Sequence, residues 1–172
     1  MGKWNNFFLQ RMGVAANNAP YPVCESVATW GMFCKEIPFK LIEKVKEPAK
    51  RSWNDEHGDD EYIPSGGLKL EAYTMKVEFA CKKMPAENPF GSDAVSDVRT
   101  NVAAFLEYLR TSGLMKMYSS YTRIGRQNVR FVGVDDDADW VSEEDGTEFL
   151  VFSVNLKVND PITDIVLSSS SS

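Results

Sequence analysis

Apolar positions recur at three- and four-residue spacing in one stretch of the chain, Ser92 to Gly113 (SDAVSDVRTNVAAFLEYLRTSG). Ala94, Val95, Val98, Val102, Phe105, Leu106 and Leu109 share one face, while Arg99, Asn101, Glu107 and Arg110 point elsewhere, which predicts an amphipathic helix. Ser92 or Asp93 can cap its start, and Gly113 can supply the left-handed residue past its end. Everything else after residue 36 reads as strand and turn. The cleanest strand covers residues 147–158, with Leu150, Phe152, Val154, Leu156 and Val158 on one side and Ser153, Asn155 and Lys157 on the other. It stops at Asp160-Pro161, because proline has no N–H for a ladder.

Residues 68–83 (LKLEAYTMKVEFACKK) alternate with a change of phase between Ala72 and Tyr73, which predicts a β-bulge or sharp bend there. LMKMYSSYT and NVRFVGV form a hairpin around IGRQ, with Arg123, Arg126 and Arg130 clustered at its tip. SVATWGMFC and IPFKLIEKV read as two short strands, the second at an edge because of Pro38. Residues 46–67 read as loop throughout, anchored by Trp53 and Tyr62, and at that length as a contact loop. Phe7, Phe8, Leu9 and Met12 could form one turn of helix before Pro20 and Pro22 break any regular element.

A helix with one apolar stripe must bury it against the strands around it. The expected fold is α+β: a mainly antiparallel β-sandwich or partly closed barrel of about six to eight strands, with one amphipathic helix packed against it. Residues 1–24 form an N-terminal arm that either docks on a neighbour or packs down. Residues 25–167 form a single β-sandwich domain with the helix at 93–112, and residues 168–172 form a disordered serine tail.

The net charge of -6 argues against a protein that coats nucleic acid. Its distribution says more. Residues 54–61 hold five acids, residues 135–148 hold eight, and neither stretch has a base. The remainder carries nineteen bases against twelve acids, so a mildly basic body bears two acidic loops. Such loops are either simply solvated or the partners of a basic patch on a neighbouring subunit. Three cysteines with no CxxC pair fit a reducing compartment. MGKWNNFFLQRMGVAANN lacks the apolar core of a signal peptide and no eighteen apolar residues run together, so a soluble protein that is not exported is expected.

No catalytic pattern emerges. The single histidine, His57, lies in an acidic loop, poorly placed for a triad. Asp135, Asp137 and Asp139 have the alternation of a calcium loop, but Trp140 stands where glycine is needed and Gly146 where the bidentate glutamate belongs. One histidine and three scattered cysteines do not make a zinc site. Gly66-Gly67 precedes a strand and lacks a following GK[ST]. No cofactor or metal is expected. The arginines near Tyr118 and Tyr121 could contact nucleic acid, but without a broader basic face a solvent-facing hairpin tip whose tyrosines pack on the sheet is favoured; a third option, an inter-subunit contact with the acidic loops, fits the charge map better.

The order KRSWNDEHGDDEY, LKLEAYTMKVEFACKK, VRTNVAAFLEYLRTSG, LMKMYSSYTRIGRQNVRFVGV and EFLVFSVNLKVNDP resembles the β-sandwich of tailed-bacteriophage tail proteins, particularly distal tail (baseplate-ring) proteins and tail-tube subunits. The resemblance implies a non-enzymatic virion structural protein. It would assemble in the bacterial host cytoplasm into a homo-oligomeric ring, contact neighbouring tail proteins and let DNA pass through a lumen without specific binding, with no membrane role. The sequence departs from the longer distal tail proteins in that the resemblance implies no second, carbohydrate-binding-like domain for it. The interface candidates are Trp53, Asp55, Asp59, Asp60, Arg123, Arg126, Arg130, Asp135, Asp136 and Asp137. A tail terminator or head-tail completion protein is an alternative. Another is a β-sandwich carbohydrate- or ligand-binding module using Trp53, Tyr62 and Trp140 as stacking platforms.

Overall fold

A computed structural model describes residues 4–41, 44–82, 93–142, 144 and 148–168, with side chains over the same ranges except 93–97 and 136–137. The fold is α+β and mainly antiparallel. Strands β1 (Phe7–Arg11), β2 (Cys24–Glu25), β3 (Met32–Cys34), β6 (Tyr73–Lys82), β7 (Met115–Ser119), β8 (Gly125–Ser142) and β9 (Glu148–Val158) form one sheet in the order β2-β1-β7-β8-β9-β6-β3. The two remaining strands, β4 (Ala49–Ser52) and β5 (Asp59–Tyr62), form a separate hairpin. The helices are α1 (Ser26–Trp30) and α2 (Asp93–Thr111).

The large sheet curls. Asn5, just ahead of β1, exchanges two backbone hydrogen bonds of 2.8 Å with Cys34 of β3, so opposite ends of the sheet meet in a partly closed barrel. The concavity is filled from α2. Val98, Phe105 and Leu109 are buried, and Val102 and Leu106 pack against the core, as the helical spacing predicts. The side chains of Ala94 and Val95, and the capping position Ser92, lie outside the described residues. Gly113, at φ 65°, ends the helix in the left-handed conformation expected of it.

Phe105 is fully buried, and its ring meets Phe79 at 5.0 Å, Trp30 at 5.3 Å, Phe7 at 5.9 Å and Phe152 at 6.4 Å between centroids. Four separate elements therefore converge on one side chain, each tilted or edge-on pair contributing about 0.5–1.5 kcal/mol beyond its buried area. Strand β9 supplies Phe152, Val154, Leu156 and Val158 to the same core, paired in register with Phe79, Val77, Met75 and Tyr73 of β6.

Several expectations are corrected. Phe7–Arg11 is a strand between β2 and β7, not a helical turn, because Phe7 and Leu9 alternate into the core. Ser26–Trp30 is a short helix: the Glu25 carboxylate accepts from the Val27 and Ala28 N–H groups, and Gly31 at φ 63° closes the other end. Only Met32–Cys34 of that run is strand. Residues 37–41 form no strand, although Ile37 and Phe39 are buried.

The phase change at 72–73 is a change of partner. Leu70 bridges Val45 at the base of the β4–β5 excursion, whereas Tyr73 begins β6 opposite Val158. Extra residues lie on β8 instead, whose register against β9 shifts at three places between Phe131 and Asp139. The acidic stretch from Asp135 is consequently strand as far as Ser142. The loop 84–91 and Ser169–Ser172 lie outside the described residues, and no described helix is long and apolar enough to cross a membrane.

Phe105→Ala should cost about 3–5 kcal/mol, because the rings around it come from separate elements and cannot collapse together into the space left. Urea denaturation followed by tryptophan fluorescence measures this. A loss below about 1 kcal/mol would mean that the aromatic cluster does not hold the helix in the sheet.

Candidate assembly surface

Two features stand on the outside of this frame. The first is the β4–β5 hairpin. The expectation of loop throughout is corrected, because bases face acids in register across a strand pair: Lys50 lies opposite Glu61 and Arg51 opposite Asp60, with Ser52 opposite Asp59. Opposite charges across a strand pair contribute about 0.2–1 kcal/mol each. Lys50 Nζ also reaches Asp59 Oδ2 at 3.8 Å. At the base, Lys46 N–H donates to the Lys69 carbonyl and Glu71 N–H to the Lys44 carbonyl. Every residue of both strands is exposed. Trp53 and Tyr62 are therefore not anchors: they are 46% and 69% exposed, and the Arg51 guanidinium lies over the Trp53 ring at 4.9 Å. Asp55 and His57 sit in the exposed turn.

The second feature is the long edge of β8. Strand β7 pairs with it only as far as Val129, and among the described residues no strand lies on that side from Arg130 to Ser142. At about 3.3 Å per residue this edge is roughly 40 Å long. It carries exposed Val132, Val134, Trp140 and Val141 interleaved with acids. Asp135 accepts from Lys76 Nζ at 2.7 Å and Asn155 Nδ2 at 3.0 Å, and these contacts, the lysine's first, hold its carboxyl below the usual range. Asp136 lies opposite Ser153, and Asp139 opposite Val151. The side chains of Asp136 and Asp137 lie outside the described residues. Charges and register shifts are the usual means by which an open edge avoids indiscriminate pairing.

The three arginines do not form one cluster. Arg123 is exposed in the β7–β8 turn at φ 58°, and Arg130 is exposed further along β8. Arg126 is buried, and its guanidinium pairs inside the chain with Asp164 and donates to the Lys40 carbonyl at 3.4 Å. No hydrophobic period marks Asp164, in the segment between Asp160-Pro161 and the serine tail. That segment is a strap. Asp160 folds the chain back, its carboxylate accepting from the Ile162 and Thr163 N–H groups and from Gln127 Nε2. The Ile165 N–H then donates to the Gly125 carbonyl. Gly125 is needed for this approach: a Cβ there would lie 2.5 Å from Ile165 Cγ1 and 2.9 Å from its carbonyl oxygen. Between strap and sheet lies a depression of about 290 Å³, lined by Phe8, Leu9, Tyr118 and Val166 among others.

Burial pushes the Cys34 thiol up to about 12 and the Cys81 thiol up to about 11, the latter despite a hydrogen bond with Asn101, so both are thiols at neutral pH. Among the described residues no three histidine, cysteine or carboxylate groups come together as a metal site.

No family model and no curated protein matches the sequence. Among solved structures, the chain is similar to SPP1 Dit (gp 19.1), a paradigm of hub adsorption apparatus in Gram-positive infecting phages, with a TM-score of 0.49 and 14% identity. The likeness covers 90% of this chain and 50% of that one, so the chain spans about half the length of that protein. At this level the likeness assigns no function.

Two outcomes test the strap. Asp164→Ala leaves the buried Arg126 guanidinium without its carboxylate and should cost about 1–3 kcal/mol in chemical denaturation, and Gly125→Ala should loosen the same segment to proteolysis. Asp160 is depressed to about 2: burial raises its pKa, but the hydrogen bonds from Gln127, Thr163 and Ile162 outweigh that. Because the unfolded state takes up the proton first, its contribution is complete above about pH 4 and lost as pH falls towards 2. With allowance for solvent screening it amounts to about 1 kcal/mol. Asp160→Asn should flatten that part of the stability–pH curve. An unchanged curve would show that the turn does not depend on the carboxylate.

Proposed function

We propose that the chain is a non-enzymatic structural protein of a virion, a ring-forming phage tail subunit of the distal tail (baseplate) or tail-tube type that acts by self-association. The observation that carries this reading is the β8 edge, a long row of backbone donors and acceptors with strand neighbours on one side only among the described residues. Edges of this kind are templates for pairing with another chain. The order of elements along the sequence, which resembles that of tail subunits, supplies the phage context. On this reading the protein resides in the virion tail after assembly in the host cytoplasm and meets other tail proteins above and below. The acids of β8 or of the hairpin, if turned to the lumen, would repel DNA and let it slide. A tail terminator or completion protein is the variant of this reading in which association needs a different partner.

A second reading has one observation in its favour. Trp53 and Tyr62 are exposed beside Lys50, Asp60 and Glu61 around an open depression of about 540 Å³, an arrangement that could stack a sugar. Isothermal calorimetry against a glycan panel separates the two, since only a ligand-binding module gives saturable heats that Trp53→Ala abolishes.

Light scattering of the native protein over a range of concentrations and salt, followed by negative-stain microscopy, tests the first reading. Closed rings or tubes that loosen as salt rises are expected, because exposed charge pairs are screened within about 8 Å at physiological ionic strength. A monomer under every condition would sink the self-assembling reading.

A further inference from the structure

We propose that the β4 strand of one copy adds to the open edge of β8 of the next copy. This rests on the ring-forming reading and names the contact that would make the ring. Pairing β8 with its own copy is disfavoured, because the strand carries four acids between Asp135 and Asp139, and an identical strand would bring acids against acids. The matching surface has to be an open strand edge of opposite sign. Strand β4 has that character. Its sequence is Ala-Lys-Arg-Ser, all four residues are exposed, and among the described residues it pairs only with β5.

The acids of β5 already flank Lys50 and Arg51 on one side. Acidic β8 arriving on the other side produces a three-stranded order, β8–β4–β5, in which charge alternates from strand to strand. The hairpin gains as well, since two strands standing alone are marginal in water and three are not. Four residues of β4 span about 13 Å, well within the edge available. The two contacting surfaces lie on different parts of the chain, so the contact is heterologous and closes into a ring or runs on as a filament.

Charge exchange between full-length chains tests this. Lys50→Glu with Arg51→Glu makes β4 acidic, and Asp137→Lys with Asp139→Lys makes β8 basic. Circular dichroism and thermal melts establish that each variant is folded, and light scattering reads its mass. Each variant alone should lose the assembled species. An equimolar mixture should regain it, because acidic β4 of one variant meets basic β8 of the other while the remaining two surfaces are native and complementary. Both variants stay net negative, so bulk attraction between them cannot produce that recovery. If the native chain assembles and both folded variants assemble equally well, or if the mixture fails to recover, the β4–β8 contact is overturned and the ring reading stands. A native chain that never assembles overturns both.

Discussion

One buried ring sets the shape of this protein. Phe105 comes from the middle of α2 and is met by Phe7, Phe79, Phe152 and Trp30 from four other elements. A flat sheet could not bring β1, β6 and β9 onto the same side chain, so the sheet must curl around the helix. The curl brings Asn5 to Cys34 and uses up backbone groups at both of those places. Sheet ends that an open architecture would leave bare are therefore partly consumed by the demands of the core.

The same curvature explains where an edge survives. Strand β8 has more residues than the partners beside it, and its three register shifts against β9 place extra residues on the bulged strand while bending it. Strand β7 ends at the Met115–Val129 pair, so the outer part of β8 continues with a neighbour on one side only among the described residues. Core packing thus determines both the curled body and the uncovered edge. Acids along an open edge disfavour pairing with an identical strand, and a partner of opposite charge is favoured over one of the same sign.

What the sequence made legible was burial at a regular period. The α2 face and the alternation of β9 are repeated over enough residues that no local signal overrides them, and both lie where the spacing puts them. Short elements were hidden. SVATW has β-branched residues and reads as strand, yet the Glu25 carboxylate and Gly31 provide a start and a stop for a single helical turn and a half. Residues 37–41 are apolar because Ile37 and Phe39 are buried, not because they form a strand. The hairpin escaped notice for the opposite reason: with no apolar face its only signal is the register of bases against acids, which a search for hydrophobic period does not see. The arginine cluster failed because Asp164, thirty-eight residues from Arg126, takes one guanidinium inward.

The charge map changes meaning once these positions are known. Read along the chain, two acidic stretches look like loops on a basic body. In the fold, Asp59, Asp60 and Glu61 are one strand of a hairpin whose other strand carries Lys50 and Arg51, so two of those three acids stand directly opposite a base. On β8, Asp135 is answered by Lys76 from β6, across β9, while Asp139 lies opposite Val151, which brings no charge. Asp139 also lies on the part of β8 beyond the end of its pairing with β7. An acidic strand with a strand neighbour on one side only among the described residues is complemented best by a partner that supplies both backbone hydrogen bonds and positive charge, and an exposed basic strand is the simplest object that does so.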